Sequence, residues 1–139
     1  EGIYSRYGLR TFKDGTFEFG WYKYTKDLQG MLGGSPALVI ESKVNINGGR
    51  DGMNSLNPRS AVGMDDNYFY IVTIDGRRAS EGLYGITTPN LAQKMISLGC
   101  IDAIELDGGG TVRVEDKKGP LNRPLENRLS NNAIGIKLK

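Results

Sequence analysis

Glycine is the residue that most constrains how this chain can fold. The sequence has 20 glycines among 139 residues, and they cluster between short apolar runs without a repeat period. Because glycine lacks a Cβ atom, such clusters mark tight turns and places where the backbone comes close to another group. An apolar content of 38% and a charged content of 24% are typical of a globular protein that buries a core. We therefore expect one domain of short elements joined by many turns.

Runs of apolar residues predict a fold rich in strands. Residues 7–13 and 16–22 alternate around Asp14-Gly15, a pair typical of β-hairpin turns. A second hairpin is predicted over residues 60–64 and 68–74. Further strands are predicted over residues 37–40, 101–106, 111–115 and 133–138.

One amphipathic helix is predicted near residues 89–98. Thr88 is expected to cap it, Pro89 suits its first position, and Gly99 suits the left-handed residue that ends it. The stretch 45–57 is a polar loop rich in Gly and Asn, of a length that is often functional. The predicted fold class is α+β, with a strand-rich mixed sheet, hairpins and one main helix.

The composition excludes several kinds of function. The sequence has no histidine, which excludes Ser-His-Asp catalysis, Cys-His catalysis and histidine-ligated zinc. Its single cysteine, Cys100, is interpreted as a small buried residue. The net charge of +2, without a long basic run, gives no indication of nucleic-acid binding. No apolar run reaches about 18 residues, so no membrane span is predicted.

Two predicted strands end in a carboxylate followed by glycine. Asp75-Gly76-Arg77-Arg78 follows one of them, and Asp107-Gly108-Gly109-Gly110 follows the other. Glycine N–H groups can form a nest for an anion, and a guanidinium matches the oxygens of phosphate or carboxylate. Alone, the glycines favour a plain hairpin turn between 101–106 and 111–115, and the arginines are equally consistent with a solvated turn.

Other polar groups lie in irregular segments. Arg59 follows Asn57-Pro58 at the start of a strand, where it could simply anchor the loop. Asn122, Arg123 and Arg128 add an amide and two cations near the C-terminus. Together these segments supply two carboxylates, several guanidiniums and a backbone nest, a set that would suit cleavage beside a phosphate.

The order of the motifs resembles the phosphodiester glycosidase family, which includes the N-acetylglucosamine-1-phosphodiester alpha-N-acetylglucosaminidase, or uncovering enzyme. The resemblance rests on five separated motifs, which are ALVIESKV, NPRSAVGM, IVTIDGRR, IDAIELDGGGT and LNRP…NR…NNAIGI. It extends from about Gly33 to Ile136 and is weaker before Gly33. It implies hydrolysis of the anomeric C–O bond of a sugar-1-phosphodiester, which releases a sugar and a phosphomonoester.

The resemblance also implies the site. Asp107 is assigned as the carboxylate nearest the anomeric carbon, and Asp75 either shares the acid–base role or orients Arg77. Arg59 and Arg77 are predicted to hold the phosphate and take up charge as the bond breaks. The other predicted substrate-binding residues are Gly108, Gly109, Gly110, Thr111, Asn122 and Arg128. No cofactor is required, although a divalent metal could bind near the two aspartates, since hard cations favour carboxylate oxygens.

The sequence departs from the family in three places. Val112 stands where a second serine is common after the glycines, and Leu125 stands where a serine is common after the Asn-Arg-Pro segment. Relatives also carry an N-terminal strand and an Asn-Gly-Gly loop before the region where this chain begins. We therefore expect residues 1–139 to form a single domain that is incomplete at its N-terminus. An associated N-terminal segment or another chain would complete it.

Two other functions remain open. The chain could be a non-catalytic carbohydrate- or receptor-binding module of a phage tail or cell-envelope protein, because rings such as Trp21 stack on sugars. The aromatic residues of the first hairpin equally fit a core with cross-strand pairs, which we favour. Alternatively, an open sheet edge pairs with a partner chain. The lack of cysteine pairs favours a bacterial or phage source. Teichoic acid or exopolysaccharide would then be the substrate, and the location would be extracellular, in the cell envelope or on a virion.

Overall fold

The computed structural model describes residues 6–46, 51–129 and 133–136. The strands in this part of the chain are β1 (Tyr7–Phe12), β2 (Phe17–Trp21), β3 (Leu28–Gly33), β4 (Ala37–Ile40), β5 (Lys43–Val44), β6 (Arg59–Met64), β7 (Phe69–Ile74), β8 (Asp102–Glu105), β9 (Glu115–Asp116) and β10 (Gly119–Pro120). Helix α1 is Thr88–Ser97, and a short 3₁₀ helix covers Ala79–Glu81. The strand-rich fold with one main helix, predicted from the sequence, is confirmed.

A five-stranded sheet carries the centre of the molecule. Its strand order is β5-β4-β8-β6-β7, and β6 and β7 form the predicted hairpin. Asp65 shapes the turn between them, because its carboxylate accepts the N–H groups of Asn67 and Tyr68 at 2.7 Å each. Every pairing between the described strands is antiparallel, so the predicted mixed sheet is not formed in this part of the chain.

Helix α1 packs across one face of this sheet. Thr87, one residue earlier than the predicted cap, accepts the N–H of Asn90 with its side chain. Gly99 takes the predicted left-handed conformation, with φ of 94°. Leu91 and Met95 are fully buried against apolar residues of β4, β6 and β8, and each such burial stabilises the fold by about 1.5–3 kcal/mol. No helix in the described chain is long and apolar enough to cross a membrane.

Cys100 lies at the end of this helix layer. It is 2% exposed, as predicted. Burial, and to a smaller extent the nearby Asp65 carboxylate, raise the pKa of its thiol to about 11. The packing is tight, since a Cβ added at Gly63 would lie 2.9 Å from the Cys100 sulfur.

A three-stranded sheet, in the order β2-β1-β3, packs on the opposite face of the five-stranded sheet. Val62 and Ile104 point to this face and are buried with Tyr7, Leu9 and Phe19. The predicted β1–β2 hairpin is therefore confirmed. Strand β3 was not predicted from the sequence, because its glycines interrupt the apolar alternation.

The aromatic residues of the hairpin divide into two sets. Tyr7 and Phe19 belong to the core, and the Tyr7 ring meets the Trp21 ring edge-on at 5.3 Å between centroids. This confirms the prediction of a hairpin core with cross-strand pairs for these residues. Trp21, Tyr22 and Tyr24 are nevertheless 52%, 51% and 73% exposed.

Two predicted strands differ in the structure. Residues 111–114 do not pair with β8, because Gly109 turns the chain with φ of 90° and donates its N–H to the Pro58 carbonyl. Strand pairing resumes only in the short β9–β10 ladder. Residues 133–136 are irregular, and the rest of the predicted final strand lies outside the described residues. Residues 47–50 of the predicted polar loop also lie outside them.

Candidate active site

The predicted motif segments meet at one end of the five-stranded sheet. Strand β6 begins with Arg59, which lies opposite Ile74, the last residue of β7. Ala61 lies opposite Glu105, the last residue of β8. Because both neighbours run antiparallel to β6, the segments that follow them reach the start of β6. Both carboxylate-glycine segments therefore come to lie near Arg59.

A cavity of about 190 Å³ lies at this end of the sheet, and we call it the first cavity. Four predicted site residues line it, namely Arg59, Arg77, Gly108 and Gly109. The other lining residues are Asp51, Gly52, Met53, Asn57, Pro58 and Glu105, none of which was assigned to the site from the sequence. The lining includes two guanidiniums and two carboxylates, so this cavity suits a polar ligand.

Arg59 is buried, and it bonds mainly to the protein itself. It is 7% exposed, and its guanidinium pairs with Glu105 at 2.5 Å. Nε donates to the carbonyl of Ile86 at 2.7 Å, and Nη2 donates to the carbonyls of Gly52 at 2.8 Å and Ser55 at 3.0 Å. At least four of the five guanidinium N–H donors are therefore directed at protein oxygens. These bonds tie the loop before β6 to the sheet.

Glu105 is the acidic half of this buried unit. It is 1% exposed, and its second oxygen accepts the hydroxyl of Thr88 at 2.8 Å. Ionised groups persist in a protein interior only when they are paired and hydrogen-bonded. We refer to Arg59, Glu105 and Thr88 as the buried ion-pair unit. A glutamate inside the apolar strand β8 was the sequence signal that could have revealed it.

Arg77 has very different surroundings. It is exposed, and its backbone takes φ of 60°, a left-handed conformation that is uncommon outside glycine. Nε and Nη2 donate to the side-chain oxygen of Asn57 at 3.1 and 2.9 Å. Nη1 lies beside the glycine run, 3.8 Å from a Cβ built on Gly109. No carboxylate pairs with Arg77 among the described residues, so its charge is available to an anion.

The glycine run turns sharply beside Arg77. Gly109 donates its N–H to the Pro58 carbonyl at 2.9 Å. A Cβ added at Gly108 would approach that same carbonyl oxygen to 2.9 Å, so the close approach requires glycine. Within the described ranges, no hydrogen-bond acceptor is found for the N–H groups of Gly110 and Thr111. Gly110 is buried and Thr111 is half-buried, and neither lines the first cavity.

Asp107 is exposed next to the first cavity, although it is not one of its lining residues. Its Oδ1 accepts the N–H of Gly108 at 3.0 Å, and its backbone carbonyl accepts the Ser60 hydroxyl at 2.7 Å. In the part of the chain that the structure describes, no three acidic or cysteine side chains are grouped closely enough to hold a metal ion.

Asp75 and Asn122 contact each other rather than the first cavity. Nδ2 of Asn122 donates to Oδ1 of Asp75 at 2.9 Å, and the N–H of Arg123 donates to Oδ2 at 2.9 Å. Asn122 also bonds the backbone of Val112 and Val114, at 2.8 and 2.9 Å. The pair therefore fastens the segment after the glycine run to the end of β7.

Arg128 reaches the glycine run only through another residue. Its side chain is 69% exposed and pairs with Glu126 at 3.3 Å. Glu126 packs against Gly110, where any Cβ would clash with its carboxylate, and its N–H donates to the Gly110 carbonyl at 2.9 Å. Sequence reasoning did not assign Glu126 to the site, since nothing in its local sequence links it to the glycines.

Comparison with known proteins identifies the family. The model of the phosphodiester glycosidase family matches residues 5–137, which is nearly the whole chain. The chain belongs to the phosphodiester glycosidase family. The resemblance drawn from the motif order is thereby confirmed.

Two solved structures share the fold. The first is the catalytic domain of zebrafish N-acetylglucosamine-1-phosphodiester alpha-N-acetylglucosaminidase, auto-inhibited by its pro-peptide. It matches with a TM-score of 0.71 at 19% identity, over 86% of this chain and 45% of that one. A hypothetical protein from Synechocystis matches with a TM-score of 0.61 at 21% identity, over 80% of this chain and 22% of that one. At these identities the likeness concerns the fold.

A curated relative comes from a prophage. The SPbeta prophage-derived uncharacterized protein YomE of Bacillus subtilis (strain 168) is 40% identical over 60 residues. The match covers 42% of this chain and 9% of that protein. The chain thus spans less than half the length of each of these three relatives.

Proposed function

We propose that this chain hydrolyses the anomeric C–O bond of a sugar-1-phosphodiester and releases a sugar and a phosphomonoester. The observation that carries the proposal is the first cavity. There the exposed Arg77, which pairs with no carboxylate among the described residues, meets a glycine run, in a member of the phosphodiester glycosidase family. A singly charged phosphodiester has the size and sign to suit that combination.

Arg77 is the side chain that we propose binds the phosphate. Its planar guanidinium can donate to two phosphate oxygens at once. The bonds to Asn57 orient it without neutralising its charge, because the acceptor is an amide oxygen. The N–H groups of Gly110 and Thr111 would add donors of the kind that form anion nests if the phosphate reaches past the lining residue Gly109. The role predicted for Arg59 changes here, since most of its donors face protein oxygens and it would support the cavity instead.

Asp107 is the carboxylate that we propose acts at the anomeric carbon. The N–H of Gly108 holds one of its oxygens, and the other accepts no hydrogen bond among the described residues, so it could face a ligand. As the C–O bond breaks, the phosphate oxygen keeps the bonding electron pair, and Arg77 takes up part of the developing charge. The carboxylate would stabilise the cationic sugar, attack it or activate the water that becomes the new anomeric hydroxyl.

Asp75 fits a positioning role in this scheme. Both of its oxygens accept hydrogen bonds from residues 122–123, and it lies two residues before Arg77. We propose that it fixes the turn that presents Arg77. The acid–base role that the sequence left open for Asp75 would require it to exchange these partners for the substrate.

The test is hydrolysis of a panel of sugar-1-phosphodiesters, followed by phosphorus and proton NMR. We expect the wild-type chain to release free sugar and phosphomonoester, and Asp107→Asn to lose at least about 100-fold in rate. The matched control is Asp116→Asn, at an exposed aspartate that likewise accepts a backbone N–H, from Lys118 at 2.7 Å. It should keep wild-type activity.

A folded wild-type chain that turns over no member of the panel contradicts hydrolysis by this chain alone. The same assay repeated with the N-terminal segment of a longer relative then tests whether another segment must complete the site. Equal activity of Asp107→Asn and Asp116→Asn would remove Asp107 from the mechanism.

The natural substrate that we propose is a teichoic-acid or exopolysaccharide phosphodiester. We propose that the protein acts on it outside the cell, in the cell envelope or on a virion. The similarity to a prophage-derived protein supports this choice. A wall teichoic acid preparation therefore belongs in the NMR panel beside synthetic sugar phosphodiesters.

One observation favours a second candidate, a non-catalytic carbohydrate-binding module. Trp21, Tyr22 and Tyr24 are all more than half exposed, and such rings can stack on sugars. If this candidate is correct, Asp107→Asn will bind polysaccharide as tightly as the wild type and neither will cleave it. Trp21→Ala would then lose the binding.

A further inference from the structure

A second cavity, of about 440 Å³, adjoins the first. Asp51, Gly52 and Met53 line both cavities, so this segment forms a shared wall. The remaining lining residues of the second cavity are Ile46, Asn54, Ser55 and Pro89. Its volume lies in the range of sites that bind small molecules.

The two cavities differ in charge. Arg59 and Arg77 line the first, whereas none of the described residues that line the second is basic. Among the described residues that line it, Asp51 is the one charged side chain. Asp51 also lines the first cavity, but Arg77 offsets its charge there, so an anion is disfavoured in the second cavity. Asn54 and Ser55 add an amide and a hydroxyl, which can donate to or accept from a ligand. The second cavity therefore suits an uncharged group that carries hydroxyls.

Apolar surface narrows the choice of ligand. Ile46, Met53 and Pro89 contribute aliphatic atoms to the same lining. A sugar ring has hydroxyls at its rim and C–H groups on its faces, so it can use both parts of the lining at once. A short polyol such as glycerol has the hydroxyls but no comparable apolar face.

We propose that the second cavity binds the sugar ring of a substrate whose phosphate occupies the first cavity. This inference rests on the proposed function and assigns that substrate a direction across the shared wall. The sugar lies on the side of Asn54 and Pro89, and the phosphate lies on the side of Arg77.

Hydrogen bonds from Arg59 hold the shared wall in place. Nη2 of Arg59 donates to the carbonyls of Gly52, Met53 and Ser55, at 2.8, 3.4 and 3.0 Å. Arg59 is in turn fixed by Glu105. A wall that is already ordered costs a ligand less entropy on binding. In this arrangement Arg59 is a positioning residue, which acts through the loop that it holds.

The test is a set of NMR titrations of the intact chain, in which the backbone amides report each cavity separately. The probes are the methyl α-glycosides of glucose and N-acetylglucosamine, glycerol, and inorganic phosphate. We expect at least one glycoside to shift the amides of Asn54 and Ser55, which line the second cavity but not the first. Phosphate should shift the amides of Arg77 and Gly109, which line the first cavity but not the second. Glycerol should shift neither set at the same concentration.

Three variants separate the two cavities. Asn54→Trp fills the second cavity and should weaken glycoside binding at least about tenfold while phosphate binding stays within about twofold. Leu56→Trp is the matched control, since Leu56 is 52% exposed and lines neither cavity. Arg77→Gln should weaken phosphate binding and leave glycoside binding unchanged. Ser55→Phe serves as a second filling variant if Asn54→Trp does not fold.

The proposal is overturned if no glycoside shifts the amides of Asn54 and Ser55, if filling the second cavity leaves glycoside binding intact, or if glycerol binds there as tightly as the glycosides. These outcomes are distinct from failure of the proposed reaction. Hydrolysis without glycoside binding in the second cavity would overturn only this inference, whereas specific glycoside binding without hydrolysis would overturn only the reaction.

Discussion

Arg59 and Arg77 line the same cavity, yet their surroundings are opposite. Arg59 is 7% exposed and pairs with a buried glutamate. Arg77 is exposed, and among the described residues its guanidinium hydrogen-bonds to the neutral amide of Asn57 and pairs with no carboxylate. An arginine with most of its donors directed at protein oxygens stabilises a fold, whereas one with donors to spare can bind a ligand. Two arginines in adjacent motifs can therefore have different roles, and their partners distinguish these roles where the motifs do not.

The largest effect that we expect is on stability, from removing the buried arginine. Arg59→Met keeps most of the side-chain volume but leaves Glu105 buried without its cationic partner. We expect it to lower the free energy of unfolding by about 3–5 kcal/mol. The equivalent change at the exposed site, Arg77→Met, should cost less than about 1 kcal/mol. Urea denaturation of both variants measures the difference, and equal losses would contradict the comparison.

A double variant sharpens this prediction. Arg59→Met combined with Glu105→Leu removes both buried charges, so it should recover more than half of the loss seen in the single variant. The hydroxyl of Thr88 then loses its acceptor, which prevents full recovery. A double variant that is less stable than Arg59→Met would show that the ion pair is not the source of the loss.

The second effect is on activity. Here the exposed Arg77 matters through its contact with the substrate, whereas Arg59 has the larger effect on stability. Arg77→Gln should lower kcat/KM for a sugar phosphodiester by about 10²–10³ while urea denaturation stays near that of the wild type. Arg77→Lys keeps the charge without the planar fork, so its kcat/KM should lie between those of the wild type and Arg77→Gln. Steady-state kinetics measure both. Full activity of Arg77→Gln would exclude Arg77 from phosphate binding.

The smallest effect that we expect is on the pH dependence of stability, and it comes from Asp65 in the turn between β6 and β7. Hydrogen bonds from the Tyr70 hydroxyl and from the N–H groups of Asn67 and Tyr68 lower the pKa of Asp65 below its usual 3.8. The native state therefore binds fewer protons than the unfolded state at acidic pH. The stability that Asp65 contributes is complete above the unfolded pKa and is lost as the pH falls through the lower folded pKa.

Asp65→Asn removes this dependence. We expect wild type to lose more unfolding free energy than Asp65→Asn as the pH falls below about 4. Urea denaturation at several acidic pH values provides the measurement. Parallel losses in the two proteins would place the acid sensitivity elsewhere.

Elements with local signals could be predicted from the sequence. The β1–β2 and β6–β7 hairpins follow from Asp14-Gly15 and from apolar alternation, and α1 follows from Pro89 and its apolar stripe. These signals lie within a few residues of the structure that they specify. Strand β3 escaped prediction because its pairing with β1 depends on residues more than 15 positions away, Thr11 with Gly30 among them.

In the site, too, local features could be predicted from the sequence and contacts between distant residues could not. The motif segments themselves were recognisable, because each joins glycine with charge at the end of a strand. Their partners were not, since the Arg59–Glu105 pair spans 46 residues and depends on the β6–β8 register. Residues 112–114 were expected to form a strand, but the side chain of Asn122 takes the place of a neighbouring strand by bonding their backbone.

The rate at which a reagent labels the Cys100 thiol can report how often the core of the protein opens. Cys100 is the single cysteine of the sequence, it is buried beside α1, and the pKa of its thiol is raised to about 11. A thiol reagent at neutral pH can therefore label it only when the layer between α1 and the sheet opens. Pro89 lies in the first turn of α1 and lines the second cavity, so a ligand bound there as proposed should slow the labelling of Cys100. The rate of Cys100 labelling can thus report occupancy of the second cavity without an isotope or a substitution.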